Sequence, residues 1–264
     1  MFSAYFDASG KKEESNIAVA GFIAQSQAWT EWEKYWLQRL AIDGLGYFHR
    51  REISRLGHAK AGELILDLSK IILDHVAVKV GCFVRNAAIR ELFPGEAARE
   101  YRMHAYSITG RTCVARIREW TRSWGGPWPE FVFESGDEGF DYLHKLMVTQ
   151  GYPQPILKPK KNRVDRKSGL EIKAAVPLQA ADLLAYEIFK RGRLLAGRGY
   201  GLAEEEIRIN PYLDRVSGDW GEVDQGRLRF FRTGLDHVKS VSNDGPDILP
   251  VDFKVDVKKG EDSF

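Results

Sequence analysis

Cysteine is scarce in this chain, which has only two in 264 residues, Cys82 and Cys113. Both lie in apolar segments, 80–84 and 112–117. Without a paired ligand spacing they exclude a cysteine-rich zinc site, and they are predicted to be reduced core residues. Long apolar runs are also missing: none approaches the roughly 20 residues that span a bilayer, and the first residues lack the order of a signal peptide. We therefore expect a cytoplasmic protein with no membrane partner.

An excess of charge of either sign is absent as well. The chain has 39 Lys and Arg against 37 Asp and Glu, a formal net charge of +2. Net charge therefore gives no argument for a nucleic-acid partner. The apolar fraction of 44% supports a substantial core, and the length suits one large domain with an extension or two small domains. Composition leaves the oligomeric state open, so any partner must be inferred from local charge.

Hydrophobic periodicity predicts a mixed α/β fold. Two strand-like segments flank a polar hairpin connection and predict an antiparallel start, and the later alternation of strands and helices predicts parallel crossovers. The predicted elements are strands at 2–7 and 17–25, a helix with Trp29, Trp32, Trp36 and Leu40 on one face, a helix around 64–72, a strand at 75–84, a helix at 98–123, a strand at 130–134, a helix at 137–150, a strand at 155–157 and a helix opened by Pro177. The tryptophan face is predicted to be core.

The periodic signals weaken after about residue 195. We expect a core domain at 1–195, with a helical insertion at about 27–74, followed by a C-terminal extension at 196–264. Within the extension, segment 251–258 alternates strictly between apolar and polar residues and predicts a late edge strand. The residues beyond that segment are predicted to fray.

Three acidic residues far apart in sequence are the strongest functional signal. Asp7 and Glu134 each end a short apolar run, and Asp182 interrupts a helix-like apolar stretch. Carboxylates are rarely buried unless they are paired, hydrogen-bonded or bound to a metal. Carboxylates that converge within about 4 Å would repel by roughly 4 kcal/mol per pair at an effective dielectric near 20, and a divalent cation relieves such repulsion. The three acids therefore predict a metal site.

Each acid also has a structural interpretation. Asp7 can simply start a hairpin turn. Asp182 can serve as a tertiary cap, although helical projection places it on the apolar face of its helix. Asp137 and Glu138 follow Glu134 closely, but acids in the first turn of a helix complement its dipole. Glu134, at the end of its strand, is therefore the preferred ligand, and the other two acids are held in reserve.

A family resemblance rests on three short strings in the first 195 residues. They are Tyr5-Phe-Asp-Ala-Ser-Gly10, Tyr47-Phe-His-Arg-Arg-Glu52 and Leu178-Gln-Ala-Ala-Asp-Leu-Leu-Ala-Tyr186. These strings resemble the bacterial family catalogued as domain of unknown function 3800, and the order of elements resembles the ribonuclease-H-like fold. In that fold the first strand carries an Asp, a later central strand ends in a second acid and the last core helix offers a third. The resemblance implies these roles for Asp7, Glu134 and Asp182.

The same resemblance implies a His near the site, followed three residues later by an acid, a spacing that His49 and Glu52 preserve. A common ribonuclease-H-like arrangement instead has an acid on the helix after the third strand. Here that helix is basic, since only Glu100 and Glu119 oppose Arg99, Arg102, Arg111, Arg116, Arg118 and Arg122. Either Glu52 is a fourth metal ligand or the site has three acids. His49 is either a proton relay or a structural histidine.

A basic segment precedes the helix that carries Asp182. Between residues 158 and 173, seven basic residues oppose two acids, which gives a local charge of +5. Such a run usually forms a solvated loop, but beside a carboxylate site it would neutralise phosphates. The predicted nucleic-acid contacts in this segment are Lys158, Lys160, Lys161, Arg163, Arg166 and Lys167.

Together these features predict a divalent-metal-dependent nuclease that hydrolyses phosphodiester bonds of DNA or RNA. Asp7, Glu134, Asp182 and Glu52 would hold Mg²⁺ or Mn²⁺, and His49 would relay a proton. A second hypothesis is a non-catalytic nucleic-acid-binding or effector module that keeps the fold and uses the acids as structural caps. A glycosidase with two carboxylates ranks lowest, because the sequence reveals no sugar-binding platform.

Overall fold

In the computed structural model, which describes residues 1–11, 14–92, 105–137, 139–165, 168–198, 209–223, 225–229 and 231, the chain forms a mixed α/β fold. Helices flank a six-stranded sheet, which confirms the predicted fold class. The strands are β1 (Phe2–Ser9), β2 (Asn16–Gln25), β3 (Val78–Arg85), β4 (Glu130–Glu134), β5 (Ile156–Lys158), β6 (Arg163–Val164), β7 (Glu171–Ile172) and β8 (Gly218–Glu222). The helices are α1 (Ser26–Ile42), α2 (His58–His75), α3 (Asn86–Leu92), α4 (Ala105–Trp124), α5 (Phe140–Thr149), α6 (Pro177–Arg198) and α7 (Pro211–Arg215), with a 3-10 turn at Ile53–Leu56.

The sheet has the strand order β5-β4-β1-β2-β3-β8. Strands β1, β2 and β3 pair antiparallel, whereas β4 joins β1, β5 joins β4 and β8 joins β3 in parallel. The antiparallel start and the later parallel strands are as predicted from the sequence. Strands β6 and β7 form a separate two-stranded hairpin.

Alternation along β1 separates two packed layers. Phe6 faces α4 with Phe131 and Phe133 of β4, while Tyr5 faces the layer formed by α1, α2 and α6. Trp32 and Trp36 are fully buried in that second layer, so the predicted core role of the tryptophan face is confirmed. The predicted helical insertion corresponds to α1 and α2, which pack against each other on the sheet face that α6 also covers.

The predicted domain boundary at 195 falls inside α6, which ends at Arg198. Residues of the expected C-terminal extension form β8, which pairs with Lys79 to Phe83 of β3, and α7, which packs against α2. The sequence of β8, Gly-Asp-Trp-Gly-Glu, has no apolar alternation, because an edge strand buries little of its surface. The edge strand predicted at 251–258, together with Arg99, Glu100 and Arg102, lies outside the described residues.

Gly10 ends β1 with a positive φ of 97°. A Cβ atom there would lie 2.5 Å from the carbonyl oxygen of Asn16 and 2.9 Å from the ring of Phe189. Only glycine adopts this conformation in so little space. The chain can therefore turn away immediately after Asp7 and Ser9, as the sequence suggested. Over the ranges described, no helix has both the length and the apolar character needed to cross a membrane.

Candidate functional site

The pairing of β1 with β4 brings two of the predicted acids side by side. Phe6 is the register partner of Phe133, so Asp7 and Glu134 follow at the carboxyl ends of neighbouring parallel strands. Both project on the opposite face from the Phe6 and Phe133 side chains, because side chains alternate along a strand. Ligands of open α/β sheets bind at this edge. The sheet therefore places Asp7 and Glu134 side by side. Asp7 is only 2% exposed.

The third acid of this group is Asp137. One carboxylate oxygen from each of Asp7, Glu134 and Asp137 lies within 4.8 Å of the others, and this is the only group of its kind that the described residues form. Asp137 lies two residues before Gly139, the N-cap of α5, so it does not belong to the first turn of that helix. The sequence-based interpretation of Asp137 as a partner of the helix dipole is therefore wrong. Glu138 lies outside the described residues.

Asp182 joins the site through a lysine. The ammonium of Lys160 lies 2.6 Å from Oδ2 of Asp7 and 3.1 Å from Oδ1 of Asp182. The other oxygen of Asp182 accepts a hydrogen bond from the backbone N–H of Arg50 at 2.7 Å. A protein cation therefore bridges two of the three acids that the sequence assigned to a metal.

Gln179 connects three segments around the site. Its Oε1 accepts hydrogen bonds from the indole N–H of Trp36 and from the backbone N–H of Phe48, both at 2.9 Å. Its amide nitrogen donates to the carbonyl oxygen of Lys160, also at 2.9 Å. Gln179 is 2% exposed, so one buried amide fixes the tryptophan helix, the segment after Phe48 and the loop that carries Lys160. Gln179 lies one turn before Asp182, in the same short string.

Glu52 is held beside the group and not within it. The hydroxyl of Tyr47 donates to Oε2 of Glu52 at 2.5 Å, and this hydrogen bond is the main reason that the pKa of Glu52 is lowered. Lys161 lies over the Tyr47 ring, 5.0 Å from its centroid. Of the described acids, only Asp7, Glu134 and Asp137 form the three-carboxylate group, so the structure does not bring the predicted fourth ligand, Glu52, into it.

His49 lies next to this segment as a half-buried side chain. Its Nδ1 accepts a hydrogen bond from the backbone N–H of Arg51 at 3.2 Å, which leaves the proton of a neutral ring on Nε2. Burial lowers the pKa of His49, against the opposing effect of Asp182. His49 is therefore favoured as a neutral ring that can donate from Nε2.

Burial raises the pKa of the three grouped carboxyls. The pKa of Asp7 is raised well above its usual value, mainly by burial, with Lys160 acting in the opposite direction. Burial and the neighbouring Glu134 raise the pKa of Asp137 to about 7, and burial also raises the pKa of Glu134. Burial alone would lower the pKa of Lys160, but Asp7 and Asp182 outweigh it and raise that pKa above its usual value. The ammonium of Lys160 is therefore charged at neutral pH.

Three polar atoms beside the carboxylates are buried and have no hydrogen-bond partner among the residues described. They are Oδ2 of Asp137, Oγ of Ser135 and the hydroxyl of Tyr106. Tyr106 is 4% exposed, and burial together with the charges of Asp137, Asp7 and Glu134 raises its pKa well above the usual value. Buried polar atoms are normally satisfied, so these atoms mark a position where a polar ligand would be bound.

The donor set fits a hard divalent cation. Mg²⁺ prefers carboxylate oxygens at about 2.1 Å, so two oxygens on opposite sides of one ion lie about 4.2 Å apart. At most one pair of three ligands can be opposite in an octahedral site, and neighbouring oxygens lie about 3.0 Å apart. The oxygens of Asp7, Glu134 and Asp137 lie within 4.8 Å of one another, so they need to approach by up to about 1.8 Å to share an ion. The unpartnered Oδ2 of Asp137 leaves that carboxylate free to coordinate.

The basic segment has a different structure from the predicted loop. Lys158 ends β5, and Arg163 begins the β6–β7 hairpin; these two residues and Lys161 are exposed. Lys160 is instead an internal cation of the site, because it lies two residues beyond Lys158, the register partner of Glu134. Its predicted role as a phosphate contact is corrected accordingly. Arg166 and Lys167 lie outside the described residues.

Comparison of the chain with protein-family models, with curated proteins and with solved structures found no match. The chemistry of the site must therefore be inferred from its own residues.

Proposed function

We propose that this protein is a divalent-metal-dependent nuclease that hydrolyses phosphodiester bonds of DNA or RNA. The observation that carries the proposal is the group formed by Asp7, Glu134 and Asp137, whose oxygens lie within 4.8 Å of one another at the carboxyl edge of the sheet. Without a cation, three carboxylates at this separation would repel one another. Together with Asp182 these acids make four nearby carboxylates, and the single ammonium of Lys160 can neutralise only one of them.

Asp7, Glu134 and Asp137 would hold Mg²⁺ or Mn²⁺. The bound metal would supply an activated water and stabilise the oxygens of an in-line displacement at phosphorus. Asp182 keeps Lys160 at the edge of this group, where its ammonium offsets part of the negative charge of the carboxylates. His49, a neutral ring with its proton on Nε2, can donate a hydrogen bond to a second phosphate oxygen.

The fold supports a ribonuclease-H-like relationship. Asp7 lies on the first strand, Glu134 ends the central parallel neighbour of that strand, and Asp182 lies on α6, the long helix that packs across β1, β2 and β3. These are the positions that the resemblance assigns to its three acids. The strings 47–52 and 178–186 also meet in space through Asp182 and Gln179. We therefore extend the proposal to membership of the family catalogued as domain of unknown function 3800.

A nucleic-acid partner follows from the exposed basic residues next to the site. Lys158, Lys161 and Arg163 are exposed on the segment that leads from β5 into the β6–β7 hairpin. Counterions released from a bound polynucleotide make its affinity depend on salt. Replacing Lys161 and Arg163 by Ala should therefore weaken binding. It should also reduce the salt slope, which is the slope of the logarithm of the binding constant against the logarithm of the salt concentration, by about two. A cytoplasmic location completes the proposal, since both cysteines are buried and free.

The ion pair of Lys160 favours one alternative function. An ammonium bridging Asp7 and Asp182 is also what a purely structural network would contain. The chain would then be a nucleic-acid-binding or effector module that keeps the fold without the hydrolysis. This alternative leaves Oδ2 of Asp137 and the hydroxyl of Tyr106 without a role, and for this reason we rank it second.

A cleavage assay tests the proposal. Labelled single-stranded and double-stranded DNA and RNA are incubated with the protein in Mn²⁺, in Mg²⁺ or in EDTA. We expect cleavage of at least one substrate that stops in EDTA and falls at least about 100-fold in Asp137→Asn. Asp141→Asn, an exposed acid four residues away on α5, is the matched control and should retain activity. Cleavage that persists in EDTA or in Asp137→Asn would overturn the assignment.

A further inference from the structure

We propose that a second site binds a nucleotide unit. This site is a cleft near the amino end of β4, opposite the end of the strands that carries the carboxylates. The cleft lies between the carboxyl end of α4 and the loop after α5, and it has a volume of about 680 Å³. This volume lies within the range of roughly 300–1,000 Å³ that small-molecule sites occupy. Trp128 at the cleft and Glu134 at the carboxylate group are six residues apart along an extended segment, which corresponds to roughly 20 Å.

Three arginines lie along one face of α4 and are called here the arginine stripe. Arg111, Arg118 and Arg122 are spaced by seven and four residues, so they lie within a sector of about 40° around the helix. No carboxylate of the described chain lies within 4.0 Å of the Arg118 or Arg122 guanidinium, whereas Arg116, on another side of α4, pairs with Asp219. Arg118 and Arg122 therefore form no ion pair with a described carboxylate, although Glu119 on the same helix offsets part of the charge of Arg111 and Arg122.

The helix ends in the cleft do not account for these charges. Helix carboxyl ends favour cations, each with about half a unit of negative charge, so the ends of α4 and α5 offset about one of the three arginines. The last carbonyls are also capped: Thr121 and Arg122 accept hydrogen bonds from Gly126 and Gly125. In addition, Nε of Arg118 is buried and has no hydrogen-bond partner in the described chain. Arg118 and Arg122, the two arginines that line the cleft, therefore keep part of their positive charge for a ligand.

Aromatic rings form the rest of the cleft. Trp128 is 37% exposed, and its ring packs edge-on against Tyr152 with centroids 5.4 Å apart. The guanidinium groups of Arg111 and Arg118 lie 5.6 and 5.9 Å from the Tyr152 centroid. Arg111 is further fixed by a 2.7 Å hydrogen bond from its Nε to Gln150. The exposed indole is thus held on a packed aromatic base next to the arginines.

Gly126 is required by this arrangement. A Cβ atom at Gly126 would lie 1.7 Å from the ring of Trp124, which folds across the turn after α4. A side chain at Gly126 would therefore displace the exposed end of that ring.

The combination of arginine charge and an exposed indole selects the ligand. Phosphate groups match guanidinium donors, and a flat base stacks on an aromatic ring. A nucleotide unit carries both groups in one molecule, whether it is free or part of a single strand. The arginine-rich helix noted in the sequence thus acquires a role that the carboxylate chemistry does not use.

Binding in EDTA tests the site without any hydrolysis, so its outcome is separate from that of the proposed nuclease activity. The probes are a fluorescein-labelled decathymidylate, followed by anisotropy, and AMP, followed by titration calorimetry. We expect Trp128→Ala to weaken decathymidylate binding roughly tenfold or more. Arg118→Gln with Arg122→Gln should do the same and reduce the salt slope by about two. Lys34→Gln with Lys60→Gln, two exposed lysines on α1 and α2, is the matched control and should change binding less than threefold.

Several results would distinguish a free nucleotide from a nucleic-acid strand, and a specific site from non-specific binding of anions. Saturable AMP binding that requires Arg118 and Trp128 would identify a free nucleotide as a ligand, and binding of decathymidylate alone would identify a strand; both support the site. The proposal is overturned if inorganic phosphate competes as well as AMP, or if polyglutamate binds as tightly as decathymidylate and ignores Trp128→Ala. It is also overturned if the arginine variant, shown to be folded by circular dichroism, binds like the wild type.

Discussion

The ammonium of Lys160 lies 2.6 Å from Oδ2 of Asp7, inside a site that the sequence assigned to acids alone. Lys160 also contacts Asp182 at 3.1 Å, and its side chain is only 15% exposed. The carboxylate edge of the sheet therefore has two parts. Asp7 and Asp182 share a protein cation, whereas Asp7, Glu134 and Asp137 form the group that fits a divalent cation. Asp7 belongs to both parts, so the two cations are expected to influence each other.

Removing the lysine charge should destabilise the metal-free protein. Lys160→Met leaves Asp7 and Asp182 without their shared cation, and breaking a buried ion pair costs about 3–5 kcal/mol. We expect a loss near the lower value in EDTA, measured by urea unfolding, and a partial recovery in millimolar Mn²⁺ because a second cation can then neutralise Asp7. Lys158→Met, at an exposed lysine on β5, is the control. A loss no larger than that of the control would contradict the bridging role.

Neutralising Asp137 should have the opposite effect in the absence of metal. Its pKa rises to about 7 in the folded protein from an unfolded value near 3.9. A raised pKa contributes stability that is present below about pH 4 and is lost as the pH rises to about 7. At pH 8 in EDTA, Asp137→Asn should therefore raise the melting temperature, by about 2–4 °C for each kcal/mol gained.

Measurements of Asp137→Asn at two pH values can contradict this prediction. At pH 5 the difference between Asp137→Asn and the wild type should shrink, while Asp141→Asn, which removes a charge from the first turn of α5, should lower the melting temperature slightly and never raise it. A melting temperature that falls at pH 8 would show that the Asp137 carboxylate stabilises the fold, as a structural cap would.

Metal affinity should depend on pH in the neutral range. A carboxyl group must lose its proton to bind a metal, and the pKa of Asp137 is raised to about 7. The affinity for Mn²⁺, measured by electron paramagnetic resonance of the free ion, should fall up to about tenfold per pH unit below pH 7 and level off above it. Equal affinity at pH 6 and pH 8 would argue against Asp137 as a ligand.

Gln179 should matter more for stability than its uncharged side chain suggests. Gln179→Leu removes the partners of Trp36, Phe48 and Lys160. Each buried group left unsatisfied costs about 1–3 kcal/mol, so we expect a total loss of roughly 3 kcal/mol or more in urea unfolding. Gln179→Glu keeps an acceptor for Trp36 and Phe48 but buries a carboxylate and loses the donor to Lys160, so it should also be destabilised, and more at pH 8 than at pH 5. Gln38→Leu, at an exposed position of α1, should be close to neutral, and a similar effect at both positions would refute the bridging role.

The sequence predicted the parts of the site that depend on strand pattern. Asp7 and Glu134 each follow an apolar run, Asp7 two residues before the end of β1 and Glu134 at the end of β4, and parallel pairing brings these positions together. The prediction from the sequence failed for Asp137, because it started the helix too early. Helix α5 begins at Phe140, after the left-handed Gly139. Element ends are poorly determined by periodicity, and a shift of three residues moved this acid from a helix turn into the site.

Contacts between distant segments were beyond the sequence pattern. Lys160 reaches Asp7 across 153 residues, and no local periodicity encodes that distance. Its charge made it look like part of a solvated run, since only the β4–β5 register shows which lysine of the run turns inward. Gln179 likewise makes its three hydrogen bonds to segments 19, 131 and 143 residues away, which no local pattern predicts.

The most direct test of the carboxylate site is a calorimetric titration of MnCl₂ into the metal-free protein at pH 8. We expect saturable binding in the wild type and in Asp141→Asn, with affinity at least about tenfold weaker in Asp137→Asn. Lack of saturable binding up to millimolar Mn²⁺, or equal affinity in Asp137→Asn and the wild type, would contradict the proposal that Asp7, Glu134 and Asp137 form a metal centre.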